Sequence, residues 1–411
     1  MFRFLVVLLV VSACGQVPSG NDGGSTGGGS ATGGGGSATG GGDGSATGGG
    51  GAATGGGGAA TGGGGGSTDG GVMLPLCAAM PLATACQSGA VSALPAGSAG
   101  TRGPHQVTVD TVTNPSPVAP GDVSIFRPTG QTNVPVLFFS HAFGATDPGS
   151  YLDLFELLAS NGFAVVHVPY PLTPPGQNRV ALRYSCLWSG FLAAVAHEGA
   201  VFDLTRVGFF GHSFGGGATP ELARRGFVEQ GWGANGRFAF IMAPWYSFGT
   251  AYDTLPANTK VVVQVYADDD TNDQQIAVQE IWNLLPAAVE KSWQLIRTDV
   301  CGCGLNATHT LPMTRNTFLP NPQNVWNGVD DWGVFRRLHA MARYALLQDT
   351  SARDVALGTD TTMGTFTACM RAVRPLEQSS AAPIVPACAG SFMYPESQRC
   401  MNADPGTPGC G

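Results

Sequence analysis

The chain has 411 residues, only 12% of them charged, and a formal net charge of −8. So acidic a balance argues against a nucleic-acid partner, since phosphate binding needs a basic face. Its 62 glycines concentrate near the N-terminus, so a large part of the chain cannot bury a core. Ten cysteines without a C-x-x-C pair argue against a zinc ribbon or a thioredoxin-type motif. Cys301-x-Cys303 with His309 nearby has no second ligand pair at suitable spacing. Disulfides in an oxidising compartment are therefore a better reading than a metal site.

Residues 1–13 read as a targeting segment: Arg3, an apolar run over 4–11, then small residues. The run is too short to span a bilayer. It ends Val11-Ser12-Ala13-Cys14, which resembles the lipobox of bacterial lipoproteins, where the cysteine is lipidated and becomes the new N-terminus. That resemblance implies a membrane anchor at Cys14, each buried methylene contributing about 0.8 kcal/mol. Gly15 follows instead of an aspartate, which leans towards the outer membrane or cell surface. An ordinary secretory signal, and a secreted protein, is the alternative. Residues 14–72 repeat ATGGGG and SATGGG and are expected to be a disordered Gly-rich tether, spanning ~40 Å for its ~55 residues.

The ordered part opens with Cys77 and Cys86, expected to pair locally or to pin this segment to the domain. Strand-like runs follow at 106–113, 123–127 and 134–140. The last, VPVLFFS, is a continuous apolar run, as a strand buried on both faces requires. Helical patterns at 151–160 and 179–196 flank a strand at 163–168. Further strands are expected at 238–243, 260–266 and 292–297, and an amphipathic helix at 331–347. This alternation predicts an α/β fold, a doubly wound and mostly parallel sheet with helices on both faces. The catalytic domain is placed at 73–350, and 351–411 is a proline-rich extension with Cys369, Cys388, Cys400 and Cys410. Without Cys14 nine cysteines remain, an odd number; Cys186, inside an apolar helix, is the candidate to stay outside the disulfides.

The chemistry centres on Arg206-Val-Gly-Phe-Phe-Gly-His-Ser-Phe-Gly-Gly-Gly-Ala218. A strand meets G-x-S-x-G, a sharp turn that lifts Ser213 above the end of a sheet. A serine hydroxyl needs a base, and the base an orienting carboxylate, here in the order Ser, acid, His. The strand ending at Tyr266 leads into Ala267-Asp268-Asp269-Asp270. Three residues beyond Ala267 stands Asp270, the preferred acid, with Asp269 the alternative. His309, after the loop CGCGLNAT, is the expected base, whereas His339 lies within the long helix. His212 is expected to pack under the loop. His141 is expected to line the pocket. The oxyanion needs two N–H donors. Phe214, next after the serine, supplies one, and Phe143 or Ala142 in His141-Ala142-Phe143-Gly144 the other, with Phe143 preferred.

GHSFGGGAT after DLTRVGFF resembles the elbow of the α/β-hydrolase fold, and within it cutinase-like polyester hydrolases and dienelactone-hydrolase-like esterases. Ala243-Pro244-Trp245 is similar to the A/T-P-W segment of the cutinase-like enzymes. The resemblance spans roughly 105–348 and implies that Trp245 walls the substrate pocket. Phe214 stands where those enzymes carry methionine, HAFG replaces a shorter loop, the acid-to-base spacer is longer, and both cysteine-bearing extensions are additions. The function expected is a monomeric, lipid-anchored serine hydrolase of small esters or polyesters, working without metal or organic cofactor. An amidase or peptidase on the same fold, or a binding lipoprotein on a hydrolase scaffold, are the alternatives.

Overall fold

The computed structural model describes residues 82–249, 251–315, 325–386 and 392–410. The signal segment, Cys14, the tether, Cys77 and Cys388 lie outside the described residues. The strands are β1 (Val107–Val112), β2 (Val123–Pro128), β3 (Val134–Ser140), β4 (Ala164–His167), β5 (Phe202–His212), β6 (Gly236–Met242), β7 (Thr259–Tyr266) and β8 (Glu290–Ile296). A short ribbon, β9 (Asp299–Val300) with β10 (Gly304–Leu305), and an edge strand, β11 (Glu377–Ser379), follow. The main sheet has nine strands in the order β1-β2-β4-β3-β5-β6-β7-β8-β11. From β4 to β8 every neighbour is parallel, and antiparallel pairs occur at its two ends. This is the expected α/β-hydrolase architecture.

Every residue of β3 is buried. Leu137 and Phe139 enter the core on one face, Val136 and Phe138 the core on the other. That two-sided burial is why the run shows no polar alternation. The first core packs against α1 (Leu152–Ser160) and α5 (Arg336–Leu347). The second packs against α2 (Arg179–His197), α3 (Phe214–Arg224) and α4 (Gln274–Glu280). The helix expected at 331–347 begins as a π-helical stretch, Asp330–Phe335, before α5 proper. Its His339 is buried and accepts from Gly100 N–H at 2.9 Å.

Cys86 pairs with Cys303, Cys301 with Cys369, and Cys400 with Cys410. Cys86 thus pins the N-terminal segment to the domain, the second of the two arrangements expected for it. Cys301 and Cys303 are both spent in disulfides. Cys186 is buried in α2 with its thiol directed at the Pro169 carbonyl.

The Cys86–Cys303 bridge closes a loop of 217 residues. The double variant C86A/C303A is expected to unfold at lower urea, with about 3–5 kcal/mol lost. An unchanged midpoint would show that the bridge adds nothing to the fold.

Candidate active site

The strand β5 runs straight into Ser213, whose backbone sits at φ 57°, ψ −120°. A residue with a side chain avoids that region unless its surroundings hold it there. Two backbone bonds do so: Ser213 N–H donates to Met242 O at 3.0 Å, and Trp245 N–H donates to Ser213 O at 2.8 Å. The flanking glycines follow from close approach. A Cβ on Gly215 would lie 1.9 Å from the Ser140 carbonyl oxygen, and one on Gly211 2.3 Å from that of Gly215.

Ser213 Oγ lies 2.9 Å from His309 Nε2, and His309 Nδ1 lies 2.8 Å from Asp269 Oδ2. Ser213, His309 and Asp269 are 6%, 8% and 5% exposed, so a small opening to solvent remains above a largely dry relay. The carboxylate of Asp269 leaves His309 Nδ1 as donor and Nε2 as acceptor for the serine proton. Asp269 Oδ1 accepts from Thr271 N–H at 2.8 Å and Asn272 N–H at 2.9 Å, which fixes the carboxylate.

The preferred acid therefore needs correction. Asp270 is exposed, and its carboxylate takes the Thr271 hydroxyl at 3.2 Å. The chain turns directly after β7, with Asp269 N–H on Tyr266 O at 3.3 Å. The third residue past the strand is counted from Tyr266, not from Ala267, and that residue is Asp269. Asp268 N–H donates to Ala307 O at 3.0 Å, tying the acid loop to the loop of the base.

His141 also needs correction. It is fully buried, its Nδ1 is 2.6 Å from Ala142 O, and its ring stacks on Tyr170 at 4.0 Å. It props the loop from beneath and does not line a pocket. Ala142 N–H donates to the Tyr151 hydroxyl at 3.2 Å. Among the described residues the N–H groups of Phe143 and Phe214 meet no acceptor. Phe214 opens α3, where the helix dipole also favours an anion. The Arg183 guanidinium lies 5.2 Å from the Phe143 ring and 5.3 Å from the Phe214 ring, and donates to Pro171 O and Leu172 O. It holds the two residues that carry those N–H groups.

Trp245 is half-buried, its ring 5.4 Å from Phe214. Two contributors, Asn272 and Tyr151, escaped the sequence reading, and His212 packs beneath the loop as expected. Asn272 Nδ2 donates to Ala243 O at 2.9 Å and lies 3.4 Å from Ser213 Oγ. The Tyr151 hydroxyl is 2.9 Å from His212 Nδ1, and His212 Nε2 is 2.8 Å from His309 O. A polar thread thus runs from Ala142 through Tyr151 and His212 to the backbone of His309. An asparagine three residues past the acid was the available signal for Asn272; nothing local marked Tyr151.

A family model described as Chlorophyllase, an α/β-hydrolase-like esterase family, matches residues 95–227. That stretch is about a third of the chain and contains Ser213, whereas Asp269 and His309 lie beyond it. No curated protein matches the chain. Fold and match together give a hydrolase of the esterase type.

Burial holds His141 and His212 well below the ordinary histidine range, a second histidine adding to the effect in each case. Burial pushes His167 down to about 4. Below pH ~6.5 the unfolded chain takes up protons that these folded histidines refuse, so stability falls as pH drops towards 4. Urea unfolding between pH 7 and 4.5 is expected to lose up to about 1.4 kcal/mol per pH unit for each of them. A flat profile would contradict their neutrality.

Proposed function

We propose that this chain is a serine hydrolase of carboxylic esters, cutinase-like in its site, acting through an acyl-enzyme. The observation that carries this is the relay of Ser213, His309 and Asp269 at the strand-to-helix elbow. The match to an esterase family over 95–227 supports it. His309 Nε2 takes the serine proton as Oγ attacks the ester carbonyl. Asp269 stabilises the resulting imidazolium through Nδ1. The Phe214 and Phe143 N–H groups receive the oxyanion, each such donor contributing about 3–4 kcal/mol in comparable sites. The tetrahedral intermediate collapses, His309 returns the proton to the departing alcohol, and water repeats the sequence on the acyl-enzyme.

The substrates are small esters or polyester ends, with Trp245 as one wall of the cleft. The protein works as a monomer, held in the bacterial cell envelope through lipid on Cys14, at the outer membrane or surface; secretion is the alternative. Three disulfides among the described residues support an oxidising compartment.

Ser213→Ala is expected to lower kcat on a short-chain p-nitrophenyl ester by about 10⁶-fold. Unchanged hydrolysis would sink the reading. Asp269→Asn should cost about 10⁴-fold in kcat. Asp270→Asn should stay within about threefold, as expected of an exposed group. The reverse order would return the acid to Asp270.

A further inference from the structure

We propose that the C-terminal segment, residues 392–410, is part of the active site, and that Tyr394 is a specificity-determining residue completing the wall begun by Trp245. This rests on the esterase reading and extends it to the substrate group that the wall would meet.

The segment adds itself to the acid loop by backbone pairing. Met393 N–H donates to Asp270 O at 3.0 Å, Tyr394 N–H to Thr271 O at 2.8 Å, and Asp273 N–H to Tyr394 O at 3.1 Å. Asn272 and Tyr394 thereby form a parallel β-bridge. These partners lie within four residues of Asp269, and Asn272 itself reaches Ser213 Oγ. The Tyr394 ring is half-buried and stands edge-on to Trp245, 6.0 Å between centroids. The Trp245 ring rests in turn on Phe214, and the backbone N–H of Trp245 donates to the Ser213 carbonyl. Serine, tryptophan and Tyr394 are therefore consecutive contacts.

Beyond Tyr394 the segment is anchored on both sides of this row. The Tyr246 hydroxyl donates to Pro395 O at 2.5 Å, and Glu396 N–H donates to Asp273 Oδ2 at 3.1 Å. Arg399 pairs with Glu280 at 3.3 Å and covers the Phe248 ring at 5.0 Å. Asp404 accepts from Val180 N–H and Ala181 N–H at 3.0 and 2.7 Å, capping α2, the helix that carries Arg183. The Cys400–Cys410 bridge closes the far end. Such a strap joins the acid loop to the helix behind the oxyanion loop, with Tyr394 held where the two meet Trp245. Two half-buried aromatic rings set edge to face form a continuous apolar wall. That wall suits an ester whose acyl or alcohol group is bulky and aromatic, and is of little use to an acetyl group.

The test uses the full chain and two fluorophosphonates that label Ser213, one with a small alkyl group and one with a bulky aromatic arm. In the wild type both should react. Tyr394→Ala should slow the aromatic probe about tenfold and leave the alkyl probe within about twofold. Tyr394→Phe should restore both rates, because the ring, not the hydroxyl, makes the wall. Should Tyr394→Ala fail to fold, Tyr394→Leu carries the same comparison. Equal slowing of both probes, no change, or faster reaction of the aromatic probe would overturn the role of Tyr394 alone. Absence of labelling in the wild type would overturn this role and the serine-hydrolase reading together.

Discussion

Ser213 occupies a backbone region that costs about 1–3 kcal/mol for a residue with a side chain, and the centre of the molecule is arranged to hold it there. The carbonyl of Met242 at the end of β6 and the N–H of Trp245 grip the serine from both sides. The ring of the same tryptophan packs on Phe214, so the bond that restrains Ser213 also fixes the residue beside the elbow. Gly215 allows the first turn of α3 to close upon Ser140, the last residue of β3. The elbow is thus bound to two neighbouring strands at once, and its geometry depends on the register of both.

The base is held by a different logic. His309 sits on a loop, not on a strand end, and its ring is oriented by Asp269 while its backbone carbonyl is held by His212. Because burial keeps His212 neutral, it keeps one ring nitrogen to donate and one to accept. The tie to Tyr151 and Ala142 then connects the base to the loop that bears Phe143. Two halves of the site that are far apart in sequence share one polar network.

The strand and helix alternation was legible because β3 and long runs within β5, β6 and β7 are apolar on both faces, and Ser213 because the elbow demands glycines at fixed positions. His309 was legible from its place after the last parallel strand. The acid was misread by one position, since whether the turn is anchored on Tyr266 or Ala267 is settled by a hydrogen bond that no residue type announces. His141 was misread because polar residues at strand ends face either the cleft or the underlying core. Asn272 and Tyr394 went unread for a shared reason: each owes its place to contacts across long stretches of chain.

Cys301 and Cys303 flank a single glycine, yet lead covalently in opposite directions, one to Cys369 and the other to Cys86. The loop that ends in His309 is therefore a crossing point of the covalent graph. A pull applied from the N-terminal side arrives at Cys86 before it reaches β1. From there it passes into Cys303, two residues from Cys301 and its link to Cys369. The load path bypasses β1, the edge strand on the N-terminal side, which would otherwise peel first. Tension arriving from that side thus enters the domain through covalent links, beside the loop that carries His309.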